Sequence, residues 1–147
     1  MPIFMKINKI LVVLGEPQSV FSEILFKYFN SKEFSKNKKK IILIGSKKLL
    51  QKQMRKLKFN FNLSTINHLN DASINKLNIL NVNYINQKTF SQISSSSEKY
   101  ISKCFEIAFE LIKKNKKIAL INGPISKKHF LKKRYLGLTE IYLKKKN

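Results

Sequence analysis

Three short runs of branched apolar residues each stop at a glycine: "KILVVLG" (Lys9–Gly15), "IILIG" (Ile41–Gly45) and "IALING" (Ile118–Gly123). This pattern constrains the fold more than any other feature of the chain. Apolar runs of this length without alternation fit strands buried on both faces. A closing glycine lets the backbone turn where a side chain would obstruct it. Only four glycines occur in 147 residues, so ending strands is the main use the chain makes of them.

Helical patterns separate the runs. Ser19–Phe29 places Val20 and Ile24, and Phe21, Leu25 and Tyr28, at helical intervals, with Ser19 as N-cap. "SKEFSKNKKK" reads as a polar connector. Ser46 caps a helix carrying Leu49, Leu50, Met54 and Leu57 on one face. Two short strands are expected near Asn62–Ile66 and Ile79–Tyr84, with turn-forming asparagines between them. The clearest helix follows the serine run at 94–97, which supplies its cap. Its stripe is Tyr100, Ile101, Cys104, Phe105, Ala108, Leu111 and Ile112, and Lys113 and Lys114 suit the negative end of its dipole. The order predicts one α/β segment over residues 1–147, with a mostly parallel sheet flanked by helices. No repeat or linker divides it.

Lys+Arg number 30 against 8 Asp+Glu, for a formal charge of +22. Cationic surfaces attract phosphate backbones. Arg55 and Arg134 are the only arginines, however, and a dedicated phosphate or base reader favours the bidentate guanidinium. Lys, Asn and Ile share A/T-rich codons, so nucleotide bias is the simplest common cause of the lysine excess. A nucleic-acid partner is therefore not expected. The single cysteine, Cys104, excludes an internal disulfide and fits a reducing cytoplasm. No apolar run approaches the ~20 residues that span a bilayer.

The chain lacks GxGxxG and GxxxxGK[ST], so the phosphate-loop signatures give no support. His68 and His129 are the only histidines, and no metal site is expected within this chain. Taken alone, Gly123–Pro124 is a strand-to-helix turn with proline at the first helical position. Lys127, Lys128, Lys132 and Lys133 are either a solvated face or part of an anion site at a helix start. In a parallel sheet, "GEPQSV", "GS" and "NGPISKK" would all emerge at the carboxyl edge, where ligands bind.

Three stretches in this order resemble one family. "GEPQSVFSE" (Gly15–Glu23) matches a Gly-Asp/Glu-Pro-Ala-Gly-Ile-Gly-Pro-Glu pattern at Gly15, Glu16, Pro17 and Glu23. "NGPISK" (Asn122–Lys127) matches Thr-Gly-Pro-Ile-x-Lys. "GLTE" (Gly137–Glu140) matches Gly-His-Thr-Glu. Together they are similar to the 4-hydroxythreonine-4-phosphate dehydrogenases of vitamin B6 (pyridoxal phosphate) biosynthesis. The resemblance implies the N-terminal part of the isocitrate/isopropylmalate dehydrogenase-like fold. It implies an NAD-dependent oxidation and decarboxylation of 4-phosphohydroxythreonine, a divalent metal (Zn, Mg or Co) and a cytoplasmic homodimer.

The same resemblance assigns residues. Thr139 is a substrate contact, Leu138 stands where the family has histidine, and Lys127 is a candidate for the substrate phosphate. Gly15, Glu16, Pro17, Gly123, Pro124 and Gly137 shape the loops, and Glu16 is as well read as a ligand contact as a turn residue. Leu138 neither donates nor accepts a hydrogen bond. Ser19 and Phe21 replace family glycines and narrow the freedom of the first turn.

The resemblance covers nearly all of this chain but only the first half or less of a typical member. The metal-binding histidines lie downstream in the family. The chain is thus expected to be an incomplete dehydrogenase, inactive in isolation. Two other readings stay open: a small basic module that binds RNA or an acidic partner, and an inactive relic that dimerises with a complete copy.

Overall fold

The computed structural model describes residues 6–85, 89–90, 92 and 95–126. Five strands form the sheet: β1 (Lys9–Val13), β2 (Lys40–Gly45), β3 (Leu63–Thr65), β4 (Leu77–Asn81) and β5 (Ile118–Asn122). Their order is β3-β4-β2-β1-β5, and every neighbouring pair is parallel. β1 lies between β2 and β5, with Lys9 opposite both Lys40 and Ile118. The helices are α1 (Phe21–Phe29), α2 (Lys32–Lys36), α3 (Lys47–Lys56) and α4 (Glu98–Lys114). The expected α/β class with a parallel sheet is what the chain adopts.

Side-chain alternation along the strands builds two cores. Leu11, Val13, Ile42 and Ile44 face α4, where they meet Ile101, Cys104, Phe105 and Ala108. Val12, Ile41, Leu43 and Ile79 face the other side, against Leu25, Phe26 and Phe29 of α1 and Leu50 and Met54 of α3. Both faces are covered, which is why the strand sequences are apolar without a polar alternate. The path from β4 to β5 runs past β2 and β1, opposite in direction to the path from β1 to β2. Right-handed crossovers then require α4 and α1 on opposite faces.

Several local expectations change. In α1 the buried residues are Ser22, Leu25, Phe26 and Phe29, while Val20 and Ile24 are exposed. The helix is rotated because Phe26 and Phe29 join Phe59 and Phe61 in an aromatic cluster, with Phe26 and Phe59 centroids 5.5 Å apart. The polar connector contains α2. Its N-cap Ser31 accepts the Phe34 N–H at 3.3 Å, and Phe34 is buried edge-on against Phe29. One phenylalanine in a lysine-rich stretch is enough to dock a helical turn. β4 begins at Leu77, two residues earlier than expected, because Asn78 is an interior strand residue.

Asn78 is fully buried. Its Nδ2 donates to Ile41 O at 3.0 Å and Ser73 O at 2.9 Å, and its Oδ1 accepts the Ser73 N–H at 3.0 Å. The amide joins β4, β2 and the preceding turn, and its removal would leave buried backbone groups without partners. We expect Asn78→Ala to lower stability by about 2–3 kcal/mol. The exposed Asn70→Ala should stay within about 0.5 kcal/mol of the parent. Urea unfolding of both variants checks this; equal midpoints would refute the role of Asn78.

Candidate functional site

The carboxyl ends of β1, β2 and β5 meet at one edge, and a glycine ends or closely follows each. Gly15 has φ +75, the left-handed region that a side chain disfavours. A Cβ there would lie 2.5 Å from Pro124 O and 2.8 Å from the Gly123 carbonyl carbon. A Cβ on Gly123 would strike Leu14 O and lie 2.6 Å from the Phe21 ring. The two loops therefore touch backbone to backbone. Glu16 N donates to Pro124 O at 2.8 Å, and Gly123 N donates to Val13 O at 2.7 Å.

Gly45 occupies the same edge. A Cβ there would lie 2.8 Å from the Tyr100 hydroxyl, which accepts the Ser46 N–H at 2.7 Å. Ser46 Oγ in turn accepts the Leu49 N–H at 3.2 Å and caps α3, as its sequence position predicts. Ser19 is not the N-cap of α1, since Val20 takes that place, but its hydroxyl still accepts the Phe21 N–H at 3.3 Å.

Glu16 is buried, and Ser97 Oγ lies 3.0 Å from each of its carboxylate oxygens. Burial of a carboxylate is costly unless hydrogen bonds replace water, and the hydroxyl supplies one. The contact ties the β1 loop to the N-terminus of α4 across 81 residues. It also explains a departure from expectation: Ser97 caps no α4 backbone group through its side chain because that side chain faces Glu16. Gln53 of α3 closes the other side by donating to Pro17 O at 3.0 Å. Between these groups lies a crevice of about 20 Å³, room for roughly one water, with the buried, unpartnered Ser22 hydroxyl in its wall.

Thus Gly15, Glu16, Pro17, Gly123 and Pro124 come together as the sequence suggests. Lys127, Gly137, Leu138, Thr139 and His129 lie outside the described residues, whereas Pro124, Ile125 and Ser126 are irregular, so Pro124 does not take the first position of a helix as its place in the sequence suggests. His68 sits in an exposed turn, its N–H bonded to Asp71 at 3.0 Å. Among the described residues no three His, Cys, Asp or Glu side chains stand close enough to hold a metal. Nor is any described helix long and apolar enough to cross a membrane. Sequence reasoning missed Ser22, Gln53, Ser97 and the site role of Tyr100.

Burial places Tyr100 well above its ordinary range, and the neighbouring Cys104 adds to the effect. Burial likewise pushes the Cys104 thiol from 9.0 to about 12, more than its hydrogen bond with Tyr100 offsets. Both groups are thus neutral in the fold at physiological pH.

The family model described as pyridoxal phosphate biosynthetic protein PdxA matches residues 37–146. A solved 4-hydroxythreonine-4-phosphate dehydrogenase from Burkholderia phymatum is 18% identical with a TM-score of 0.79, covering 92% of this chain and 42% of that one. One from Klebsiella pneumoniae is 18% identical with a TM-score of 0.76, covering 91% of this chain and 43% of that one. At such identity the likeness is one of fold. The chain spans less than half the length of either structure. No curated protein matches the chain.

Three outcomes follow from this arrangement. Gly15→Ala and Gly123→Ala should each destabilise by about 2 kcal/mol or more, because each adds a Cβ where backbone already stands. An unchanged melting temperature in either variant would contradict the seam. Cys104 should resist thiol reagents in the native protein and react in denaturant. A raised folded pKa contributes stability that is fully present below 9.0 and lost as pH rises toward about 12, with Tyr100 adding its own loss above 10.0. Urea midpoints at about pH 8 and about pH 10.5 should show this decline, and it should be shallower in Cys104→Ala.

Proposed function

The chain belongs to the PdxA family of pyridoxal phosphate biosynthetic proteins, and from that membership we propose that it forms the sheet-edge part of an NAD-dependent dehydrogenase for 4-phosphohydroxythreonine. The observation that carries this reading is the convergence of the "GEP" and "NGP" loops at one carboxyl edge, joined through Glu16 N and Pro124 O at 2.8 Å. Ligands of parallel α/β sheets bind at this edge. The protein acts in this reading as a cytoplasmic homodimer.

In this proposal the chain's own residues bind and orient substrate. Lys127 follows the seam at the end of "NGPISK" and pairs with the substrate phosphate. Thr139 hydrogen-bonds the substrate, alone at that point because Leu138 offers no polar atom. Gly137 allows the backbone to approach closely there. Gly15, Pro17, Gly123 and Pro124 hold the loops, and Glu16 acts as a shaping residue because its carboxylate is turned inward to Ser97.

NAD would accept the hydride, and a divalent metal would polarise the hydroxyl as a Lewis acid. The described residues do not fit a metal: no group of three suitable side chains stands together. The crevice, at about 20 Å³, is far too small for a dinucleotide. No step through either group is therefore assigned to this chain.

Calorimetric titration with 4-phosphohydroxythreonine tests the proposal. Saturable binding should weaken about tenfold in Lys127→Ala, as expected for loss of a charge-assisted hydrogen bond. Thr139→Val should weaken it by a smaller factor. The 147-residue chain, given NAD and Zn²⁺ or Mg²⁺, should form no NADH. Binding that neither substitution changes would overturn the site assignment, and sustained NADH production would overturn the division of labour.

A further inference from the structure

A second cavity, of about 390 Å³, opens where the chain leaves β4. Val82, Tyr84 and Ile85 form one wall, and Lys99, Tyr100 and Lys103 of α4 form the other. Val82 N donates to Gly45 O at 2.9 Å and holds the first wall against β2. The Tyr84 and Tyr100 rings pack with centroids 4.7 Å apart and make the floor aromatic. The volume lies in the range of small-molecule sites.

Two features of this cavity are unexplained by the fold alone. Lys99 stands in the first turn of α4, where the helix macrodipole disfavours a cation. Lys103 follows at i+4, so two like charges share one face, which is also unfavourable. Both side chains are exposed, and neither forms an ion pair with a described residue. A group that is anionic and carries a flat apolar body fits both the charge and the lining. Its charge would offset the two lysines, and its ring would lie against the apolar wall.

We propose that this cavity is a binding site for a small aromatic anion, a ring bearing a phosphate or carboxylate. It does not depend on the dehydrogenase reading, because none of its residues belongs to the three family motifs. The excess of lysine elsewhere does not by itself account for it, since here two lysines border a cavity with a mainly apolar lining.

Phenyl phosphate is the probe, titrated into the full 147-residue chain at about 0.15 M salt and followed by calorimetry or amide chemical shifts. Saturable binding at least about tenfold tighter than that of inorganic phosphate is expected, because the ring adds apolar contact. The double variant Lys99→Gln/Lys103→Gln should weaken binding about tenfold or more. Lys32→Gln/Lys36→Gln, on α2, should leave it unchanged. Affinity equal to that of inorganic phosphate, or affinity that survives loss of both α4 lysines, would overturn the proposal. The assay has no redox component, so its outcome and that of the dehydrogenase experiments are separable.

Discussion

At the carboxyl edge of the sheet two backbones meet with no side chain between them. Gly15 and Gly123 approach so closely that a single added methyl on either would overlap main-chain atoms of the other loop. Two hydrogen bonds close the seam, one in each direction: Glu16 to Pro124 and Gly123 to Val13. Much else follows from it. β1 is an interior strand, between β2 and β5, so fixing its exit fixes where α1 begins; fixing the exit of β5 sets where the following residues start. Methyl-sized tolerances at this point decide the shape of the whole edge, because packed interiors transmit displacement instead of absorbing it.

Around the seam the interior is held by neutral and singly charged polar groups from distant segments. Ser97 reaches Glu16, Gln53 reaches Pro17, and Tyr100 receives Ser46. Each contact replaces water lost by a buried polar atom, which would otherwise be expensive. Each also fastens a loop to a different helix, α3 or α4. The edge is therefore a set of loops clamped from both layers, as a site that must hold its geometry requires. Among the described residues, the ion pair between Lys27 and Glu23 stands apart from this clamping, on the surface of α1.

The sheet was legible in the sequence because its signal is dense: apolar runs ended by glycine leave few alternatives to buried parallel strands. The α3 cap at Ser46 and most of the α4 stripe were legible for the same reason, since several positions repeat one message. What failed were messages carried by single residues. Phe34 alone turns a polar connector into a docked helical turn, and Asn78 alone looks like a loop residue while sitting in a strand, its amide satisfied by β2 and the preceding turn. The rotation of α1 depends on Phe59 and Phe61, which are distant in sequence, so helical spacing within α1 could not reveal it. The partner of Glu16 was hidden differently. Four consecutive serines are equivalent on paper, and only the position of α4 over the β1 loop selects Ser97. Gly15, Glu16, Pro17, Gly123 and Pro124 were found because a motif groups them; the polar residues that hold them belong to no motif.

The lysine excess shows where composition stops informing and position begins. A formal charge of +22 says little about a partner when nucleotide bias can supply it. Position within a helix is a finer instrument, since the dipole gives each turn a sign. Lys113 and Lys114, in the last turn of α4, follow that sign and need no ligand to explain them. Lys99, in the first turn of the same helix, opposes it, although codon bias acts on both ends equally. The same logic separates the glycines. Scarcity in such a chain makes each retained glycine informative, and here three of them converge on one edge where a side chain would collide with main chain or with the Tyr100 hydroxyl. Departures from a background, read at the scale of a single turn or contact, thus locate chemistry that the background obscures.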